Sequence, residues 1–353
     1  MRQKADQQFP ISEKELCNTR TGERRVFTMR PYEPGDEAGM IACIRDEYGD
    51  SYFKRDFYDE EKLREKAQGD HYVFFVAETS GEIAGMEIFV LFTEHGDDYI
   101  EPASQIFKVR YRGYGLAEKL VNYTFALARQ MQPKALFVHA VTFHSITQKV
   151  CGAQGMIPVG FRLGSFLAEK MENSYPKGRC PKYSEGIMIL PLQKRNAGVV
   201  YVPEALREYV SQRYERLGMT YSLCSEKQEL PQTQAGLQVV TDELQRTVLI
   251  EVLHSGMDLT GRIAQIMAAH RESGWTYQVT LPADSGYAIA EYEQLHEMGF
   301  FFTGLKAACA QKEHFYMQWC GDLKLHMEDY ILTEEFVAVR EQIQHFYEER
   351  VRT

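Results

Sequence analysis

The sequence predicts a mixed α/β protein in which a mostly antiparallel sheet is flanked by helices. Apolar segments of strand length recur along the chain, and turn residues separate neighbouring segments, as Thr79 to Glu82 do. Longer segments with apolar residues at three- and four-residue steps lie between the strands and indicate amphipathic helices. The composition, 44% hydrophobic and 25% charged, is that of an ordinary globular protein and excludes a disordered chain.

The strongest helix signal runs from Gly115 to Gln130, where an apolar stripe follows the helical repeat until Pro133 ends it. A buried strand is predicted directly after it, over 135–141. The other elements predicted in this half are a helix that follows the turn 33–36, a short helix over 145–153, and the strands 25–30, 72–78, 83–92, 100–109, 157–163 and 186–192.

Length and element order predict two domains. At roughly 150 residues per domain, 353 residues correspond to two. A boundary near residue 195 gives an N-terminal extension (1–21), a first domain (22–195) and a second domain (196–353). Both halves place a strand pair, a long helix, a strand, a second helix ending in Gly and two more strands in the same order. This repeated order predicts an internal duplication.

Charge and cysteine content limit the classes of partner. With 50 acidic and 40 basic residues the net charge is −10, which disfavours nucleic acid and anionic membranes, because both bind basic faces. Seven scattered cysteines without a C-x-x-C pair favour reduced thiols over a disulfide framework or a zinc site. No secretory signal or transmembrane segment is evident. We therefore expect a cytoplasmic protein that binds neither nucleic acid nor membrane and holds no metal.

A glycine-containing loop carries the most specific chemical signal. A predicted strand ends in Arg112-Gly113-Tyr114-Gly115, and a helix follows at once. Glycines let a ligand approach the backbone, and successive amide N–H groups at a helix start bind anions. From Gln105 to Lys134, six basic residues accompany one acidic residue, a local charge of +5. The pattern predicts a site for a multiply phosphorylated small ligand.

Two common phosphate motifs do not fit this loop. No Gly-Lys-Ser/Thr of a P-loop follows it, and Glu118 stands where a dinucleotide fingerprint needs its third glycine. The segment instead resembles the acetyl-CoA loop of the GNAT acyltransferase superfamily, [Q/R]-x-x-G-x-[G/A], through Arg112, Gly115 and Ala117. The extended form of that motif, Y-R-G-x-G, matches Tyr111 to Gly115. The resemblance extends over about residues 26–192.

This resemblance implies a GNAT-like fold and an N-acetyltransferase that uses acetyl-CoA as cosubstrate, without a metal. The strand would bind the pantetheine arm through its backbone, and the loop amides would hold the pyrophosphate. A primary amine of a small molecule or peptide would attack the thioester, and a backbone N–H near Phe107 would stabilise the developing oxyanion. The implied cofactor-binding residues are Ile106, Phe107, Lys108, Val109, Arg112, Gly113, Tyr114, Gly115, Leu116 and Ala117.

The chain departs from the family pattern in the short helix before Gly155. Where the family commonly carries a Tyr, this chain has Cys151, and the family's Asn position falls near His144. The candidates for proton transfer are therefore His144 and Glu101 as bases and Cys151 as acid. For Cys151, the alternative of a packed small residue stays open.

The second half lacks the basic glycine loop. Its corresponding loop, 254–261, has two glycines but no matching arginine, and Asp258 would repel a phosphate. We expect a degenerate second domain that completes the acceptor cleft or serves association, for instance in a homodimer. Two alternatives to an N-acetyltransferase stay open: a non-catalytic acyl-CoA-binding regulatory module, and a tandem-GNAT aminoacyl transferase.

Overall fold

The computed structural model describes residues 9–94, 97–168, 180–193, 196–270, 272–306 and 313–352. It divides into two units. The first comprises residues 1–138, 149–155 and 169–176, and the second comprises 139–148, 156–168 and 177–353. This division differs from the boundary predicted near residue 195, because the strands that follow residue 156 are counted with the second unit. The division into residues 1–21, 22–195 and 196–353 stays a prediction.

Five strands of the first unit form an antiparallel sheet in chain order. Residues 12–17 of the predicted N-terminal extension supply its first strand. A sixth strand, β6, runs parallel to β5 and is divided between the two units after residue 138. The strands are β1 (Ser12–Cys17), β2 (Arg24–Pro31), β3 (Tyr72–Thr79), β4 (Glu82–Glu94), β5 (Asp97–Phe107) and β6 (Ala135–Val141).

Successive side chains of a strand point to opposite faces of the sheet, so both faces present apolar side chains. Helices cover each of these faces. Met86 and Ile88 of β4 belong to a buried cluster with residues of the first two helices. Glu87, between these two residues, points to the opposite face and contacts Thr124 of the third helix. Phe75 lies opposite Glu87 on β3, and its ring packs against Tyr123 of the same helix. The helices are α1 (Glu37–Tyr48), α2 (Glu60–Gln68), α3 (Leu116–Met131) and α4 (Ile146–Gly152), the last divided between the two units.

A bulge interrupts the pairing of β4 with β5. Met86 lies opposite Ile106 and Ile88 lies opposite Ala103, so two residues of β5 face Glu87 alone. One of them, Ser104, has a φ of 53°, which turns the strand. The bulge separates the first part of β5 from the segment that leads into the glycine loop.

The second unit has a seven-stranded sheet in the order β8-β7-β14-β15-β13-β12-β11. Neighbours are antiparallel except β12 and β13, and β9 and β10 form a separate parallel pair. The strands are β7 (Ile157–Leu167), β8 (Lys182–Pro191), β9 (Asn196–Tyr201), β10 (Thr220–Cys224), β11 (Gly236–Asp242), β12 (Thr247–His254), β13 (Thr276–Pro282), β14 (Phe301–Lys306) and β15 (His314–Trp319). The helices are α5 (Arg207–Arg216), α6 (Leu259–Ala268), α7 (Tyr287–Glu297) and α8 (Glu334–Arg352).

The predicted fold class is confirmed as a mixed, mostly antiparallel sheet with flanking helices. The order of elements also repeats: β4-β5-α3-β6-α4-β7-β8 corresponds to β11-β12-α6-β13-α7-β14-β15. In both series the strands before and after the long helix run parallel and the last two strands run antiparallel. A duplication as the origin of this repeat stays a prediction. Among the described helices, none has the length and hydropathy needed to cross a membrane.

Two glycines let β7 and β14 approach closely. Gly160 pairs with Gly304, and a Cβ on Gly160 would lie 2.4 Å from the carbonyl oxygen of Thr303 and 2.5 Å from the Cα of Gly304. These neighbours are backbone atoms of a sheet and cannot move aside as a flexible side chain would. Any larger residue at position 160 therefore separates the two strands.

We expect Gly160→Ala to lower the free energy of unfolding by roughly 2 kcal/mol, because overpacking forces a backbone shift. The measurement is the midpoint of urea unfolding of the full chain. The matched control is Gly261→Ala in α6, where a Cβ would have no neighbour within 4 Å. That change should raise stability by up to about 1 kcal/mol, since alanine favours a helix over glycine. A Gly160→Ala protein as stable as the wild type contradicts the prediction.

Candidate functional site

The glycine loop leaves the start of α3 open. Gly113 has a φ of 93° and Gly115 a φ of 68°, a backbone region in which other residues are strained. No side chain caps the first turn of α3, and a Cβ on Gly115 would meet no atom within 4 Å. The first amides of a helix have no partner within the helix, so this end of α3 is suited to an anion.

The turn after β1 braces this loop from behind. The Asn18 side-chain amide donates to the carbonyl of Arg112 at 3.2 Å, and the Thr19 N–H donates to the carbonyl of Gly113 at 2.9 Å. The side-chain oxygen of Asn18, Oδ1, in turn accepts from the N–H groups of Arg20 and Thr21. The turn after β1 therefore holds the loop through the carbonyl groups of Arg112 and Gly113, and these contacts do not use the N–H groups of the loop.

One edge of β5 is open beside the loop. β5 pairs with β6 only at Tyr99 and Ile100, so its later residues have no strand partner on that edge among the described residues. The Lys108 N–H donates to the carbonyl of Ala84 in β4. Because successive N–H groups of a strand point to opposite edges, the Phe107 N–H points to the open edge. An extended ligand can hydrogen-bond along such an edge.

The basic surplus of this segment is largely offset in the fold. Carboxylates from α1, β4 and β5 lie against its cations, so the loop surface is far less basic than the sequence suggests. The ion pairs with carboxylates of these elements are Lys108–Glu82, Arg110–Glu82, Arg112–Glu47 and Lys134–Asp97. Most of them are partly exposed, and such pairs are individually weak.

Two carboxylates at the end of α1 occupy donors that the sequence assigned to the cofactor. Asp46 Oδ2 accepts the Val109 N–H at 2.6 Å, and Glu47 pairs with the Arg112 guanidinium. Both carboxylates lie at the loop that would hold phosphates. An anionic ligand must therefore displace them or bind against their repulsion.

Cys151 belongs to a buried polar cluster of the first unit. Burial raises the pKa of its thiol, nearby Glu87 raises it further, and a hydrogen bond with Gln105 opposes the rise. Glu87 is itself fully buried: Gln105 Nε2 donates to its Oε1 at 2.8 Å, and the Thr124 hydroxyl lies 2.7 Å from its Oε2. Burial raises the pKa of Glu87 to about 7, against the effect of these two hydrogen bonds.

The other two predicted catalytic residues lie in different units. Glu101 is half-buried on β5, opposite Val90 of β4, in the first unit. His144 follows β6 in the second unit, where its ring packs edge-on against Phe143 and its Nδ1 accepts from the Ile146 N–H at 3.3 Å. In the neutral ring the proton therefore lies on Nε2. Cys151 lies with Glu101 in the first unit.

The second unit uses Asp258 within the protein. Asp258 precedes α6, and its Oδ1 accepts the N–H of Ala235 at 2.6 Å. Arg262 of the same helix donates to the Ala235 carbonyl. The position that corresponds to the anion site of the first unit thus carries a carboxylate bound to the backbone.

Sequence reasoning missed the partners that surround the predicted site: Glu87, Gln105, Asp46, Glu47 and Asn18. Only Glu87 gave a signal, as the one charged residue in the apolar strip 86–93. A charge inside a buried strand needs a partner or a raised pKa, so that position deserved a hypothesis of its own. The remaining four look like ordinary surface residues in the sequence.

Comparison with known proteins finds similarity in structure only. No family model matches the sequence, and no curated protein is significantly similar to it. An N-acetyltransferase from Staphylococcus aureus Mu50 is 11% identical with a TM-score of 0.36, over 47% of this chain and 97% of that one. Spermidine/spermine N-acetyltransferase SpeG from Vibrio cholerae is 15% identical with a TM-score of 0.38, over 47% and 95%. The NatC complex bound to Gag peptide and CoA is 14% identical with a TM-score of 0.37, over 47% and 99%.

The structures that match are N-acetyltransferases, the class of enzyme that the resemblance drawn from Arg112 to Ala117 implies. Each match covers about half of this chain. Identities of 11 to 15% and TM-scores of 0.36 to 0.38 assign neither a family nor an acceptor nor a catalytic residue to this chain.

We expect the stability of the chain to depend on the charge of Glu87. Its pKa of about 7 lies above the ordinary 4.5, so the folded state binds the proton more tightly than the unfolded state. The stability that this proton confers is complete below pH 4.5 and is lost as the pH rises through 7. At pH 8 the loss amounts to roughly 3 kcal/mol, at 1.36 kcal/mol per pKa unit.

Glu87→Gln, which cannot ionise, should therefore be more stable than the wild type at pH 8 and lose this advantage toward pH 5. Urea unfolding at several pH values measures the difference. Glu65→Gln, on the exposed side of α2, is the control and should show no such trend. An equal pH dependence of wild type and Glu87→Gln would contradict the buried, neutral carboxyl.

Proposed function

We propose that the first unit is an acetyl-CoA-dependent N-acetyltransferase that acts on a primary amine. One observation carries this proposal: the open edge of β5 leads directly into the uncapped glycine loop at the start of α3. An extended, polyanionic ligand such as acetyl-CoA matches this order, with its arm on the strand and its phosphates at the helix start. The acceptor is a small molecule or a peptide.

Residues of the chain divide the work of binding and stabilisation. Acetyl-CoA supplies an activated acyl thioester. The backbone from Ile106 to Val109 binds the arm, and the N–H groups from Gly113 to Ala117 hold the phosphates. The Phe107 N–H, directed to the open edge, stabilises negative charge that develops on the acyl oxygen when the amine attacks.

Proton transfer is assigned to residues other than Cys151. Cys151 is fully buried, and the raised pKa of its thiol keeps it protonated, which suits packing in the cluster with Glu87. Half-buried Glu101 on β5 is the base proposed within the first unit. His144 belongs to the second unit, and because its Nδ1 already accepts the Ile146 N–H while Nε2 carries the proton, its ring is not arranged to act as the base.

One observation favours a second function, a non-catalytic acyl-CoA-binding module. The acid position of the family holds a thiol closed to solvent, so no group of that kind reaches the ligand among the described residues. Both functions require acetyl-CoA to bind. Release of free CoA thiol in the presence of a panel of amines separates them.

We expect Ala117→Glu to weaken acetyl-CoA binding at least tenfold while the fold is kept. An acidic residue in the first turn stabilises a helix, yet here it places a carboxylate among the amides proposed for the phosphates. Titration calorimetry measures the dissociation constant. Ala126→Glu, the same change at an exposed position of the same helix, is the control and should bind as the wild type does. Equal affinities of the two variants would refute the proposed phosphate site.

We expect Asp46→Ala combined with Glu47→Gln to tighten acetyl-CoA binding about three- to tenfold. The two changes remove anions beside the phosphate site and free the Val109 N–H and the Arg112 guanidinium. Asp50→Ala, just beyond the end of α1, removes a nearby exposed charge that pairs with Arg45 and serves as the control. If the control gains as much affinity as the double variant, the effect is a general change of charge and not release of the site.

A further inference from the structure

The buried carboxyl of Glu87 lies where the elements of the proposed site meet. It is on β4, opposite the bulge of β5, and contacts Gln105 of that bulge and Thr124 of α3. Gln105 also forms a hydrogen bond with Cys151 of α4. Since α3 begins at the glycine loop and β5 ends there, one side chain links both of them.

The hydrogen-bond pattern fits a neutral carboxyl. The Thr124 hydroxyl has one proton and two possible acceptors, Glu87 Oε2 at 2.7 Å and the Val121 carbonyl at 3.2 Å. If Oε2 carries a proton, it donates to Thr124, and Thr124 donates to Val121. Gln105 Nε2 still donates to Oε1. Every proton then has an acceptor, whereas an ionised carboxylate takes the Thr124 proton and leaves the Val121 carbonyl with one donor fewer.

Among the described residues of the elements packed around it, no cation faces this carboxyl. Phe75 lies opposite on β3, Gln105 and Thr124 are uncharged, and Cys151 on α4 is the one titratable neighbour in the described cluster. Ionisation of Glu87 therefore places a buried charge without a counter-charge next to the bulge.

We propose that Glu87 is a positioning residue that, in its neutral form, holds the Gln105 bulge and thereby directs the Phe107 N–H into the open edge of β5. Gln105 and Phe107 are two residues apart on the same strand, so a change in the bulge alters the direction of that N–H. When Glu87 ionises, water enters to solvate the charge and this part of β5 loosens. The catalytic consequence rests on the proposed function, whereas the effect on β5 does not.

Glu87→Gln tests the proposal, because glutamine reproduces the neutral acid. Its Oε1 accepts from Gln105 and its amide donates to Thr124, as the protonated carboxyl does. The first measurement needs no ligand: backbone hydrogen exchange of a peptide spanning 103–109 in the full chain, from pH 6 to 8.5. The ratio of wild-type to Glu87→Gln exchange rates cancels the intrinsic pH dependence of exchange. It should stay near one at pH 6 and rise at least tenfold by pH 8.5.

The second measurement is kcat against pH, with acetyl-CoA and an amine that the chain acetylates. Relative to Glu87→Gln, the wild type should lose about tenfold in kcat for each pH unit above 7, with full activity of both near pH 6. The acceptor's own titration is common to both proteins. Glu291→Gln is the control, because Glu291 is a buried carboxyl of the second unit whose pKa burial also raises to about 7. That variant should keep the wild-type exchange and kcat profiles.

The outcomes separate this proposal from the proposed function. An exchange ratio that stays at one at all pH values, or a Glu87→Gln kcat more than tenfold low at pH 6, overturns the positioning role. An exchange ratio that rises supports it, also when acetyl-CoA does not bind. In that last case the proposed acetyl transfer is contradicted and the positioning role of Glu87 is kept, because calorimetry measures acetyl-CoA binding separately.

Discussion

The parting of β5 from β6 is the constraint on which the candidate site depends. β5 is paired with β4 along most of its length but with β6 at two residues only. Beyond Ile100, its second edge carries backbone groups that no strand of the described residues satisfies. Buried backbone groups without partners are costly, so such an edge persists where water or a ligand reaches it. The fold thus provides a row of donors and acceptors that ends at the left-handed glycines 113 and 115.

Charged groups near this edge are stabilised in two different ways. At the surface, the cations of the glycine loop are matched by carboxylates from other elements, which lowers the potential that the sequence suggests. In the interior, no cation of the described residues faces Glu87, which is stabilised as a neutral acid by Gln105 and Thr124. A ligand can replace the carboxylates of the surface ion pairs, because partly exposed ion pairs are weak. The buried carboxyl stays neutral, because a buried charge without a counter-charge costs much free energy.

The two units repeat one element order but keep different chemistry. In the first, the helix after the strand pair begins at an open glycine loop. In the second, the corresponding helix begins at Asp258, which is bound to the Ala235 N–H. A strand-and-helix framework is maintained by apolar packing, whereas a phosphate site depends on a few backbone groups and charges. The same framework can therefore carry such a site or lack it.

The sequence alone determined the main elements and the place of the loop. The helix 116–131 follows from the apolar repeat that ends before Pro133, and the glycine loop follows from Gly113 and Gly115, because both signals are local. Only the tertiary structure decided what surrounds them. Asp46 and Glu47 are more than 60 residues from the groups they bind, and Glu87 meets Thr124 across 37 residues. Periodicity and motifs report neighbours along the chain, whereas charge pairing and burial depend on residues that only the fold brings together.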